Sequence, residues 1–187
     1  MSRGVLHLVV GPSGVGKDSL IDAARAARPD LVFPVRVITR PADAGGESHD
    51  FMPLADFERA ETAGGFLLSW RAHGLAYGIP AEAGRALAQG RGVVVNVSRG
   101  VIGAARAAHA PIRVLAVTAP AAALARRLSA RGRESAEQIE ARLARAALSA
   151  PEGPDVHVID NGAAFDAARA AFLAALAPAA LPDRSPA

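Results

Sequence analysis

Five runs of the chain are apolar at nearly every position: residues 5–10, 31–38, 92–97, 112–118 and 156–159. A strand with one wet face alternates apolar and polar side chains, so runs without alternation predict strands covered on both faces. Between most of them lie Ala-, Leu- and Arg-rich stretches of helical spacing, at 18–27, 80–89, 98–108, 121–130, 136–148 and 165–176. Pro80 suits a first helical turn and Gly90 a helix stop. Strands alternating with helices predict an α/β fold, a parallel sheet sandwiched by helices.

Two segments interrupt this alternation. Residues 39–78 hold short strands, a helix near 54–62 and the turn cluster Asp43-Ala44-Gly45-Gly46. Residues 126–145 hold Arg126, Arg127, Arg131, Arg133, Arg142 and Arg145 against Glu134, Glu137 and Glu140. That excess of three positive charges equals the net charge of the whole chain. In a phosphate-handling protein, such a run reads as a mobile arginine lid that closes on transferring phosphates. One domain over 1–177 and a flexible Pro- and Ala-rich tail over 178–187 complete the expected organisation.

Candidate chemistry begins after the first strand, with Gly11, Pro12, Ser13, Gly14, Val15, Gly16, Lys17, Asp18 and Ser19. Lys17 is the sole lysine among 21 basic residues, and it completes a G-x-x-x-x-G-K phosphate loop. A Gly-rich turn between strand and helix aims successive N–H groups at one point, beside the positive end of the helix dipole. The lysine adds a compact charge on a flexible stem that follows a moving phosphate. The loop therefore predicts a nucleoside triphosphate, ATP, as ligand. Ser or Thr usually follows the lysine and ligates Mg²⁺. Here Asp18 takes that place and Ser19 supplies the hydroxyl, so Asp18 or Ser19 is expected at the metal, directly or through a water.

Composition narrows the partners. With no cysteine there is no disulfide framework and no thiolate site. No stretch resembles a signal peptide or a ~20-residue membrane span, which predicts a soluble cytoplasmic protein. The isoelectric point of 10.4 reflects arginine dominance, since the net charge is only +3 and aromatics are 4%. A nucleic-acid partner is not expected.

These pieces in this order resemble guanylate kinase and its relatives. The carriers are the phosphate loop, Ile38-Thr39-Arg40-Pro41 with Gly46-Glu47, the segment from Phe66 to Tyr77-Gly78, and the lid from Arg127-Leu128 through Arg131-Gly132-Arg133 to Arg142-Leu143. The resemblance makes 39–78 the acceptor-binding insertion and 126–145 the lid. It makes Arg40 the acceptor-phosphate arginine, Tyr77 a further acceptor contact, and Arg131 and Arg142 the catalytic arginines that act with Lys17 on the transferring group. The guanine-reading residues of that family are absent. Leu68 stands where it carries a base-reading glutamate, and Asn96-Val97-Ser98-Arg99 where it carries aspartates. An apolar residue there would leave guanine N–H donors unpaired, at about 1–3 kcal/mol each.

The same positions resemble a sister family, the ribose 1,5-bisphosphate phosphokinases of bacterial phosphonate degradation. Gly16-Lys17-Asp18, Ile38-Thr39-Arg40-Pro41, Ser69-Trp70-Arg71-Ala72-His73-Gly74 and Asn96-Val97-Ser98-Arg99 carry this likeness. It implies transfer of the ATP γ-phosphoryl group to ribose 1,5-bisphosphate, giving 5-phosphoribosyl 1-diphosphate. Arg40, Arg71, His73, Tyr77, Asn96, Ser98 and Arg99 are then the expected acceptor-binding residues. Trp70 is expected to pack the insertion, and His7, His109 and His157 to be structural or surface residues. Two alternatives stay open: a nucleoside monophosphate kinase, GMP included, and a catalytically silent interaction module of this fold.

Overall fold

The computed structural model describes residues 3–41, 49–131 and 150–177. Strand β1 (Leu6–Val10) has all five side chains buried. It lies between two parallel neighbours, β6 (Val93–Asn96) and β7 (Ile112–Thr118), and β8 (Val156–Asp160) extends the sheet beyond β7. Successive side chains point to opposite faces. On one face Leu6, Leu8, Val10, Val93 and Val95 pack against α3 (Glu82–Ala88) and α4 (Ile102–Ala108). On the other, Val9, Val94, Leu115 and Val117 pack against α1 (Lys17–Ala27) and α6 (Phe165–Ala175). A fully buried Leu, Val or Phe here contributes about 1.5–3 kcal/mol. The α/β sandwich predicted from the apolar runs is therefore present, with buried strands at β1, β6 and β7.

Three expectations need correction. Strand β8 is an edge strand: only Ile159 is buried, and Val158 is 62% exposed. The 31–38 run is not one strand. Val32 makes a single parallel bridge to Val93, after which Pro34, which has no N–H to donate, ends the pairing. Only Val37–Ile38 is a strand, β2, and it belongs to a second sheet. Pro80 closes strand β5 (Leu75–Pro80) opposite Phe66, and the helix begins at Glu82. The Gly90 stop is present, at φ 81°.

The second sheet runs β3-β2-β5-β4, with β3 at Asp50–Phe51 and β4 at Phe66–Ala72. One face carries Val37 and Ala76 and is covered by α2 (Leu54–Thr62) through Phe57, whose ring stacks on Phe66 at 4.4 Å. From the other face, Leu68 and Ile79 join the core above the parallel sheet, with Trp70 packed against it. Trp70 thus packs the insertion, as expected. Among the described residues, no helix is long and apolar enough to cross a membrane.

The end of α6 is held by two cations. Arg28 Nη1 donates to Leu176 O at 3.2 Å, and Arg113 Nη1 donates to Ala175 O at 2.6 Å and Ala177 O at 2.7 Å. Guanidinium groups at a helix C-terminus satisfy carbonyls that lack intrahelical partners and oppose the negative end of the dipole. On β1, paired in register with Arg113 of β7, lies His7, 2% exposed.

Candidate active site

Strand β1 runs directly into the phosphate loop, which is threaded so closely that side chains are excluded at two positions. Gly11 has φ 150°, and a Cβ there would lie 2.4 Å from Val117 O. Gly16, at φ 92°, immediately precedes α1, and its Cβ would lie 2.5 Å from Asn161 Nδ2. Only glycine combines these dihedrals with that approach. Lys17 Nζ donates to Gly11 O at 2.9 Å and Pro12 O at 3.0 Å, so the ammonium arches back over the start of the loop.

Two residues outside the predicted site hold the loop from behind. Asn161, 3% exposed, donates through Nδ2 to Val15 O at 2.7 Å. Arg127, on α5 (Ala121–Arg131), donates to Val15 O at 3.4 Å and to Asn161 O at 2.7 Å. The available signal for Asn161 was its place just past the C-terminal end of a parallel strand, where α/β proteins build sites. Arg127 was hidden in a run of six arginines whose individual directions only the fold separates.

Asp18 sits in the first turn of α1 and accepts from Asn96 Nδ2 at 3.1 Å. Asn96 ends β6 opposite Val9, so the parallel pairing of β1 and β6 brings it to the phosphate loop. Its side chain, expected at the acceptor, thus reaches the first turn of the helix that follows the phosphate loop. Its carbonyl accepts from Arg36 Nη1 at 3.1 Å. Among the described residues, no cluster of three or more His, Cys, Asp or Glu could hold a metal ion. One carboxylate and one hydroxyl still suit Mg²⁺, which binds through one or two carboxylates while keeping waters and substrate phosphates as its other ligands.

On the insertion, Tyr77 stacks on Trp70 with centroids 5.3 Å apart, and Arg36 Cζ lies 5.9 Å from the Tyr77 ring centroid. Arg40 follows β2; its carbonyl lies 2.9 Å from His49 Nε2, and nothing accepts from its buried Nε among the described residues. Arg71 is not brought to this group. Strand alternation puts it on the α2 face, over the Phe57 ring at 5.0 Å and paired with Glu61 at 2.7 and 3.1 Å. Hydrogen bonding to Arg71 holds the Glu61 carboxyl below its usual range. His73 is a turn residue. It is exposed at φ 52° beside Gly74 at φ 74°, forming the two-residue turn between β4 and β5.

Ser98 is exposed and begins a short 3₁₀ turn, Arg99–Val101. Arg99 lines an open cleft of about 280 Å³ with Ile102, Gly103, Arg106 and Glu152. Arg131 is the last described residue of α5. Arg142, the lid over 132–145 and the tail over 178–187 lie outside the described residues.

A phosphate loop at the end of the central strand, facing a separate small sheet built from an insertion, defines a P-loop kinase. The guanylate kinase family model matches residues 3–171, and the chain belongs to that family, grouping within it with ribose 1,5-bisphosphate phosphokinases. One of these, from Rhizobium etli, is 47% identical over 177 residues, covering 93% of this chain and 90% of that protein. Another, from a Ruegeria species, is 46% identical over 168 residues, covering 89% and 88%. A bifunctional ribose 1,5-bisphosphokinase-thymidine phosphorylase of Cupriavidus necator is 47% identical over 176 residues, and the chain spans 29% of that longer protein. Among solved structures, guanylate kinase from Anaplasma phagocytophilum superposes with a TM-score of 0.63 at 22% identity, covering 91% of this chain and 82% of that one. At that identity the likeness is one of fold alone.

Proposed function

We propose that this chain transfers the γ-phosphoryl group of ATP to the 1-phosphate of ribose 1,5-bisphosphate, forming 5-phosphoribosyl 1-diphosphate and ADP, in phosphonate catabolism. The observation that carries this reading is the polarity of the acceptor side. Leu68 is 8% exposed within the apolar core, so no carboxylate meets a purine edge from that position. Arg36 lies against Tyr77, with Arg40 farther along the same segment, as cations suited to phosphate. The named relatives at 46–47% identity favour the same substrate.

An acceptor that is already a phosphate anion needs no general base, and catalysis rests on positioning and charge neutralisation. In this reading the loop amides and Lys17 hold the donor phosphates, and Arg40 and Tyr77 hold the acceptor. Arg99 is proposed to act on the acceptor phosphates, and Arg131 and Arg142 on the migrating group. Asp18 and Ser19 would hold Mg²⁺, which supplies charge neutralisation to the β- and γ-phosphates when bound. Asn96 keeps one oxygen of Asp18 engaged and so limits how the carboxylate can turn.

Two measurements test this. Following ADP release with ATP and either ribose 1,5-bisphosphate or GMP should give turnover with the sugar bisphosphate and at most a small fraction of it with GMP; brisk GMP turnover alone would refute the reading. Asp18→Ala should raise the Mg²⁺ concentration for half-maximal nucleotide binding by about tenfold, with little change in acceptor KM. An unchanged Mg²⁺ titration in calorimetry would remove Asp18 from the metal.

A further inference from the structure

The carbonyl of Val15 is gripped from outside the phosphate loop. Asn161 Nδ2 donates to it at 2.7 Å and Arg127 Nη1 at 3.4 Å, while Arg127 Nη2 donates to Asn161 O at 2.7 Å. Asn161 is fixed in turn by its own N–H, which donates to Thr118 O at 2.8 Å, and it is buried. Its amide has a single usable orientation, since only the NH₂ end can donate to a carbonyl. The next residue of α5 adds support: a Cβ on Gly14 would lie 3.0 Å from Leu128 Cδ2.

In a planar trans peptide the C=O and the following N–H point in opposite directions. Holding Val15 O therefore aims Gly16 N–H away from Asn161, among the loop amides proposed to hold the donor phosphates. The contact inside the loop is longer, with Val15 N donating to Pro12 O at 3.4 Å. A flanking glycine at φ 92° leaves the plane of this peptide free to turn unless something outside the loop holds it. Asn161 Oδ1 has no hydrogen-bond partner among the described residues. A buried amide with one end unpaired is a poor device for stability, which favours a role in shaping the loop.

Resting on the placement of the donor phosphates in this loop, we infer that Asn161 is a positioning residue for nucleotide binding, with Arg127 as its support. Together they set the direction of the Gly16 N–H before the phosphates arrive.

The test is calorimetric binding of ADP with Mg²⁺, paired with proton–nitrogen NMR of the Gly16 amide. Asn161→Ala should raise the ADP dissociation constant by about tenfold and reduce the shift of the Gly16 amide proton on ADP binding. Arg127→Met should do the same to a smaller degree, about threefold. The double variant should lose little more than Asn161→Ala alone, because both side chains act on one carbonyl. Should Asn161→Ala not fold, Arg127→Met, altered at a partly exposed position, is read in its place, and an unchanged Gly16 shift there overturns the inference. A folded Asn161→Ala with wild-type ADP affinity overturns it too. So does weaker binding with an unchanged Gly16 shift, which would mean that Asn161 acts on the nucleotide without the loop. A wild-type protein that does not bind ADP would refute the donor assignment itself, before any variant is compared. ADP binding needs no acceptor, so failure of ribose 1,5-bisphosphate as substrate would be a separate result.

Discussion

Lys17→Met is expected to lower kcat/KM for ATP by about 10²–10³, the usual loss when one preorganised charge is removed from a transferring phosphoryl group. The fold should survive, because the hydrogen bonds of the ammonium to Gly11 O and Pro12 O lie within its own loop. Lys17→Arg should restore little, since a rigid planar fork cannot replace a compact ammonium in a loop closed this tightly. The composition offers a second route to the same residue. With one lysine in the chain, an amine-directed reagent has Lys17 and the α-amino group as its amine targets. Inactivation should follow modification of Lys17 as located by peptide mapping, and ATP should slow it. Full activity after stoichiometric modification of Lys17 would remove the lysine from catalysis.

The second large effect is on stability, and it belongs to His7. Burial, then the charges of Arg113 and Arg28 and the neighbouring His157, push its pKa down from 6.5 to about 3. Nδ1 has no hydrogen-bond partner among the described residues. The folded protein therefore keeps His7 neutral, whereas the unfolded chain protonates it below about pH 6.5. Stability from this residue is fully present above that pH. It falls as pH drops, by up to about 1.4 kcal/mol per unit, until the folded value near 3 is reached. Urea unfolding should show wild type losing about 2 kcal/mol more than His7→Leu between pH 7 and pH 5. At pH 7 the leucine variant should be no less stable, because it removes a buried polar atom that lacks a partner. Parallel pH profiles for the two proteins would show that His7 titrates normally in the fold.

Much of this architecture is legible in the order of residues because local rules agree with global ones. Residues 5–10 and 112–118 lack alternation, and they form strands with helices packed on both faces. The phosphate loop is local in sequence, so its glycines, its lysine and the start of the following helix are all written within nine residues. The acceptor side is different. Its residues come from three distant stretches, and strand alternation decides which of them meet. Arg71 and Arg36 look equally available in sequence, but one falls on the α2 face and the other beside Tyr77. Pro34 in a long apolar run was the legible warning that 31–38 would divide between two sheets. His73, expected as an acceptor contact, is placed by the fold in a turn with Gly74, both at positive φ.

The chain by itself determined that a phosphate loop follows the first strand and that position 68 carries no carboxylate. Both follow from chemistry carried by neighbouring or single residues. Only the tertiary structure decided that Asn96 turns to Asp18, that Arg127 and Asn161 brace Val15, and that Arg36 lies beside Tyr77 while Arg71 pairs with Glu61. Those contacts join residues tens to more than a hundred positions apart, and the pairing register and strand face that create them emerge only when the two sheets assemble.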